Sequence, residues 1–212
     1  MTAFTLYGAR GSTNTDRVRL TLAEGGFTDY EFVLLDLAKG QQKSTDHFNR
    51  HPWGKVPAIQ SSNGFTLYES RAICKYLSKK YNFLLLPSES DIEAMALFEQ
   101  AQSVEMQYFA EPAGRIAFEK FAKKFIGIPP NEQVVTDALK VVEAYFDVAE
   151  RLLSDKDYMA GNMFTLVDIY YVALVQRLFV CGFGNVITER PAVKAWWERI
   201  STRPAVQKIM FS

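Results

Sequence analysis

Cysteine, histidine and net charge are all scarce in this chain. Only two cysteines occur, Cys74 and Cys181, far apart and neither in a C-x-x-C pair. No structural disulfide is indicated, and a reducing compartment, the cytoplasm, is the expected location. Both cysteines lie in apolar runs, which suits buried, inert thiols. The two histidines, His47 and His51, stand in one polar stretch before Pro52. That is too few ligand-type side chains for a metal site, so no metal is expected. Lys plus Arg and Asp plus Glu both number 24 among 212 residues, giving no net charge. Such a chain has no long-range field to hold a polyanion, so no nucleic acid is expected as partner. No apolar run approaches the roughly 20 residues of a membrane span, and no membrane partner is expected. Met1 to Tyr7 lacks a basic start followed by an apolar run, so no secretory leader is expected. There is no G-x-S-x-G elbow, no G-x-x-x-x-G-K-[ST] loop and no G-x-G-x-x-G after the first strand.

What is present is an apolar fraction of 48%, ample for a core. The pattern changes near residues 82–91, where Pro87 and Ser88-Glu89-Ser90 read as a linker. Before it, strands and helices alternate. Phe4-Thr5-Leu6-Tyr7 reads as a strand, and Gly8 to Thr15 as a small polar loop. Thr15-Asp16 is a candidate cap for a helix running to Gly25-Gly26, and Glu31 to Asp36 is a second strand. Val56-Pro57-Ala58-Ile59 and Phe65-Thr66-Leu67-Tyr68 flank Asn63-Gly64, a strong hairpin signal. Glu69-Ser70 then opens a helix through Tyr81. After the linker, helices are expected near 91–113, 131–154, 166–181, 191–201 and 204–210. The third is apolar nearly all round, as a central helix is. Thr165-Leu166-Val167-Asp168 before it has the form of a capping box, which gives Asp168 a structural role.

In a β-α-β, β-β-α order, the first loop, the Pro57 turn and the Glu69-Ser70 helix start can converge at one sheet edge. A helix start offers backbone N–H groups to a carboxylate. Ser70 can add its hydroxyl, and an extended peptide can pair beside Val56 as an added strand does. Lys43 and Lys55 are either partners for a second carboxylate or ordinary surface charges. A small, acidic, extended peptide suits this site.

At these residues the chain resembles a cytosolic glutathione transferase, phi-class-like. The matching stretches are Leu6-Tyr7-Gly8, Ser12 to Val18, Asp36 to Lys43, Pro52 to Ala58, Leu67 to Ile73, Gly161 to Asp168, and Pro191 to Pro204. The resemblance spans nearly the whole chain. It implies an α/β plus all-α fold: a thioredoxin-like glutathione-binding domain over 1–82, a linker over 83–91, and an all-helical domain over 92–212 that contributes the electrophile site. It implies glutathione as co-substrate and a small hydrophobic electrophile as second substrate. Peroxide reduction by the same thiolate is a variant, and a ligand carrier (ligandin) or interaction module is the alternative class.

The resemblance also implies residue roles. Ser12 would donate its hydroxyl to the glutathione sulfur. From the residues alone, Ser12 is equally a helix cap or loop serine, and Thr13 is a close-by substitute. Glu69 and Ser70 would hold the γ-glutamyl end, and Val56 the cysteinyl backbone beside a cis Pro57. Gln42, Lys43 and Lys55 would meet the glycine end, although Gln42 and Lys55 stand where phi-class chains commonly carry histidine and glutamine. Arg17 would lie near the sulfur or on the surface of the first helix. Trp53 would key into a second copy in a homodimer, or else pack beneath its own loop. Arg10, Met106, Tyr108, Phe109 and Phe118 are candidates for the electrophile site.

Overall fold

The computed structural model describes residues 2–211, which form two compact units, 2–85 and 86–211. The first is built on a four-stranded sheet: β1 (Phe4–Gly8), β2 (Tyr30–Leu34), β3 (Ala58–Ser61) and β4 (Thr66–Tyr68), in the order β2-β1-β3-β4. β1 runs parallel to β2 and antiparallel to β3, and β3 and β4 form the hairpin that Asn63-Gly64 signals. α1 (Thr13–Glu24) links the parallel pair, and α3 (Ser70–Lys80) packs against α1. Phe4, Leu6, Val18, Leu22, Ile59, Ile73 and Leu77 fill the core. Phe83 stacks near Tyr81 and Phe27, so this part of the expected linker lies packed in the first unit.

Two local details depart from the sequence reading. The cap of α1 is Ser12 rather than Thr15 or Asp16. Ser12 has extended backbone, and its Oγ accepts from the Thr15 N–H at 3.3 Å. Thr15 instead turns inward, its Oγ1 accepting from the Ala9 N–H. β2 ends at Leu34 rather than Asp36, because Asp36 Oδ1 accepts from the N–H groups of Ala38 and Lys39 and starts a turn. The polar stretch that follows holds a 3-10 turn (Gln41–Lys43) and a short helix, α2 (Thr45–Phe48).

The second unit is helical: α4 (Ile92–Val104), α5 (Ala110–Lys120), α6 (Glu132–Leu152), α7 (Leu166–Val180), α8 (Asn185–Thr188), α9 (Pro191–Ser201) and α10 (Pro204–Met210). α7 is the central helix, buried from Leu166 to Val175. Its capping box is formed as expected. Asp168 accepts from the Thr165 and Met159 N–H groups and from Trp196 Nε1, each at 3.0 Å.

The expected helix over 91–113 is instead two helices joined by a π-helical turn, Glu105–Phe109. Pro112 has no N–H to extend the preceding ladder, and it sits in the first turn of α5, where proline is tolerated. Gly114 does not end α5, because Ala113 and Ile116 bury one face and offset the roughly 1 kcal/mol that glycine costs in a helix.

Candidate glutathione site

Strand register explains why three separate segments share one end of the sheet. Ala58 pairs with Tyr7 on one side and with Tyr68 on the other. The chain leaves β1 toward Ser12 just after Tyr7. It enters β3 from Val56-Pro57 just before Ala58, and it leaves β4 into Glu69-Ser70 just after Tyr68. All three segments therefore hang from one row of paired residues.

The helix starts there carry usable donors. The Ser12 oxygen is occupied by the Thr15 N–H. Its own O–H proton takes no part in that bond, so the hydroxyl keeps one donor beside the accepted bond. Glu69 precedes α3 with φ 69° and makes no side-chain cap to that helix. A non-glycine residue in that region carries strain of about 1–3 kcal/mol and is concentrated at functional sites. The first N–H groups of α3 are thus not taken by the residue before them, and the helix dipole adds to their pull on an anion.

Ser70 is buried and accepts from Arg17 Nη1 at 2.8 Å. The same Nη1 donates to Asn14 Oδ1 at 2.6 Å. Arg17 is only 1% exposed, so it is a buried tie between α1 and α3 and not a surface arginine. The tie holds the two helix starts side by side.

The Val56–Pro57 bond is cis, as the resemblance implies. Lys55 is exposed, and its backbone carbonyl receives His47 Nε2 at 2.7 Å. Lys43 Nζ donates to the Trp53 carbonyl at 3.0 Å, which leaves two of its three protons for another acceptor. Gln42 Nε2 reaches the Leu37 carbonyl at 3.5 Å. Gly54 has φ 56°, and a Cβ there would lie 2.8 Å from the Gln42 carbonyl oxygen, so only glycine fits.

Trp53 is 61% exposed, with one edge toward Tyr68. His51 is buried against the Tyr68 ring at 4.9 Å, and burial holds its pKa below the usual 6.5, with Glu69 pulling the other way. The sequence offers His47 and His51 as a base for a nucleophile or as metal ligands, and assigns them no packing role. Their i, i+4 spacing was the signal that they share one face of a turn. Among the described residues no group of three metal-capable side chains comes together.

Arg10 is exposed in the first unit. In the second unit Met106, Tyr108 and Phe118 are exposed. Phe109 is not a wall residue: it is wholly buried among Tyr145, Phe146 and Tyr171, because the π turn rotates it inward. The thiols differ from each other. Cys74 is buried and its pKa is pushed up to about 11 by loss of solvent, whereas Cys181 is only half-buried, a correction to the expected buried pair.

Residues 2–79 match the family described as glutathione S-transferase, N-terminal domain, and residues 101–204 match its C-terminal domain. The chain is 41% identical over 203 residues to glutathione S-transferase PM239X14 of Arabidopsis thaliana, covering 93% of this chain and 91% of that one. The chain belongs to the glutathione S-transferase family. Glutathione S-transferase 1 of Zea mays is 34% identical over 209 residues, covering 99% of this chain and 96% of that one. These relatives place this glutathione S-transferase beside the plant phi class. Glutathione transferase F7 from Populus trichocarpa superposes with a TM-score of 0.92 at 32% identity, covering 97% of each chain. A glutathione S-transferase-I solved with lactoylglutathione gives 0.91 at 33% identity, covering 99% of each chain.

Proposed function

We propose that this glutathione S-transferase is an enzyme that binds glutathione at the end of its sheet and stabilises the thiolate with the Ser12 hydroxyl. The observation that carries the reading is the Tyr7–Ala58–Tyr68 row, from which the Ser12, Val56-Pro57 and Glu69-Ser70 segments all depart. A free thiol has a pKa near 8.5, and the thiolate is the nucleophile. Lowering it by about two units requires about 2.7 kcal/mol of preference for the anion. One charge-assisted hydrogen bond supplies about 1.5–3 kcal/mol. The start of α1 adds up to about 2 kcal/mol. No histidine base is needed.

In this reading α3 and Ser70 receive the γ-glutamyl carboxylate and Glu69 its ammonium. The Val56 backbone pairs with the cysteinyl unit. Lys43, Lys55 and Gln42 serve the glycine carboxylate, and the three cationic or amide groups suit an anion there. Arg10, Met106, Tyr108 and Phe118 remain the candidates for contact with a small hydrophobic electrophile. The glutathione-binding domain is assigned to 1–82, the linker to 83–91 and the helical domain to 92–212. Trp53, an exposed aromatic, is the proposed key of a homodimer. No helix among the described residues is long and apolar enough to cross a membrane, and two free cysteines suit the cytoplasm.

The test is turnover of an aryl halide and of an organic peroxide with glutathione, by the native chain and by Ser12→Ala. Loss of most turnover in the variant supports the reading. Full turnover removes Ser12 from its role. Glutathione binding without turnover in either protein favours the carrier.

A further inference from the structure

His47 sits at the junction of two segments that the proposed site uses. The 3-10 turn Gln41–Lys43 leads directly into α2, whose start is capped by Ser44 accepting from the His47 N–H. From α2, the His47 ring reaches across the loop to the Lys55 carbonyl at 2.7 Å. That carbonyl belongs to the peptide unit that enters Val56. A carbonyl oxygen only accepts, so Nε2 must carry the proton. The ring is 1% exposed, and its Nδ1 has no hydrogen-bond partner among the described residues. Its whole polar capacity therefore goes into one bond to the backbone.

That bond does not stand alone. Lys43 Nζ donates to the Trp53 carbonyl, and Gly54 lies against the Gln42 carbonyl. Residues 41–57 are closed into one knot, with His47 its buried member. We propose that His47 is a positioning residue for glutathione: by holding the Lys55 carbonyl it fixes the peptide plane before Val56, the residue that pairs with the cysteinyl backbone. His47 touches no reacting atom. Its loss weakens glutathione binding and leaves the chemistry intact. The inference rests on the glutathione reading of the site.

Glutathione binding to the native chain is measured first by calorimetry. Its absence fails the site reading itself, whereas binding in the native chain that is unaltered in His47→Leu fails only the role of His47. His47→Leu removes the donor, and His47→Gln restores an N–H near the place of Nε2. The expected result is a glutathione KM raised about tenfold in His47→Leu, the size of one ordinary hydrogen bond. The KM for the electrophile and kcat stay within about twofold, and His47→Gln recovers most of the loss. An unchanged glutathione KM overturns the proposal. So does a uniform fall in all parameters that follows the thermal midpoint, or a folded His47→Gln that behaves like His47→Leu. If His47→Leu does not fold, nitrogen-15 NMR of the native ring decides. An Nε2–H tautomer whose proton exchanges more slowly with glutathione bound supports the role. An Nδ1–H tautomer, or exchange unaffected by glutathione, overturns it.

Discussion

Arg17 Nη1 lies 2.8 Å from Ser70 Oγ, so the first helix of the molecule holds the first residue of the third. A charged donor in such a bond contributes about 1.5–3 kcal/mol, and its removal leaves Ser70 and Asn14 without it. Arg17→Ala is expected to lower stability by at least about 2 kcal/mol in urea unfolding. It is also expected to raise the KM for glutathione more than that for the electrophile. Arg17→Lys should restore part of both, since an ammonium keeps the charge and carries three protons for the two acceptors that Nη1 alone bridges.

Ser12 caps α1 with its oxygen, and in the proposed function it also offers its proton to the thiolate, so two duties can be separated. Ser12→Ala should cost about 1 kcal/mol of stability through the lost cap. It should cost about 10- to 100-fold in kcat/KM through the lost donor. Ser12→Asp keeps a cap but places an anion beside the sulfur. Near-native stability with activity below that of Ser12→Ala is the outcome that separates the duties, read from thermal unfolding and from the pH dependence of thiolate absorbance.

His51 gives stability a pH dependence of known sign. Burial lowers its folded pKa below 6.5, with Glu69 opposing and His47 and Lys55 reinforcing the shift. The unfolded chain therefore takes the proton first. The contribution is fully present above about 6.5 and is lost as pH falls toward the folded value. Thermal midpoints measured from about pH 8 to about pH 5.5 should decline less in His51→Asn than in the native chain.

Asp168 accepts from Thr165, Met159 and Trp196 inside the helical unit. Asp168→Ala leaves three donors without their acceptor, two of them buried and each of those costing about 1–3 kcal/mol. The expected outcome is a drop of several degrees in the thermal midpoint, or failure to accumulate as folded protein, with glutathione affinity little changed in whatever folds.

The strands and the central helix were legible because their signals are local. Asn63-Gly64 between apolar pairs has few alternatives to a hairpin, and the apolar run after Thr165 has few alternatives to a buried helix. The helical stretch expected over 91–113 runs on as α5 to Lys120, because the burial of Ala113 and Ile116 within the unit outweighs Gly114. Phe109 is a wall candidate only through the resemblance, and its burial among Tyr145, Phe146 and Tyr171 depends on partners distant in sequence. Arg17 is placed by the sequence near the sulfur or on the surface, and His47 and His51 only in a polar stretch between strands. Their burial follows from partners distant in sequence, Ser70, Lys55 and Tyr68, which no local pattern announces. The position of the candidate segments was legible for the opposite reason: each lies next to a strand end, which local patterns reveal, while their roles come from the resemblance alone.

The Tyr7–Ala58–Tyr68 row works as a datum line from which every recognising group is measured. Because its members are locked by ladder hydrogen bonds on both sides of β3, the three segments cannot drift apart independently. A one-residue slip of β3 would reverse every side chain on it, and because Ala58 and Ile59 are both buried on opposite faces, each would be forced into packing shaped for the other. In the proposed function, variation in what the protein accepts is thereby channelled into loop side chains and the helical unit, while the spacing between the three segments stays constant.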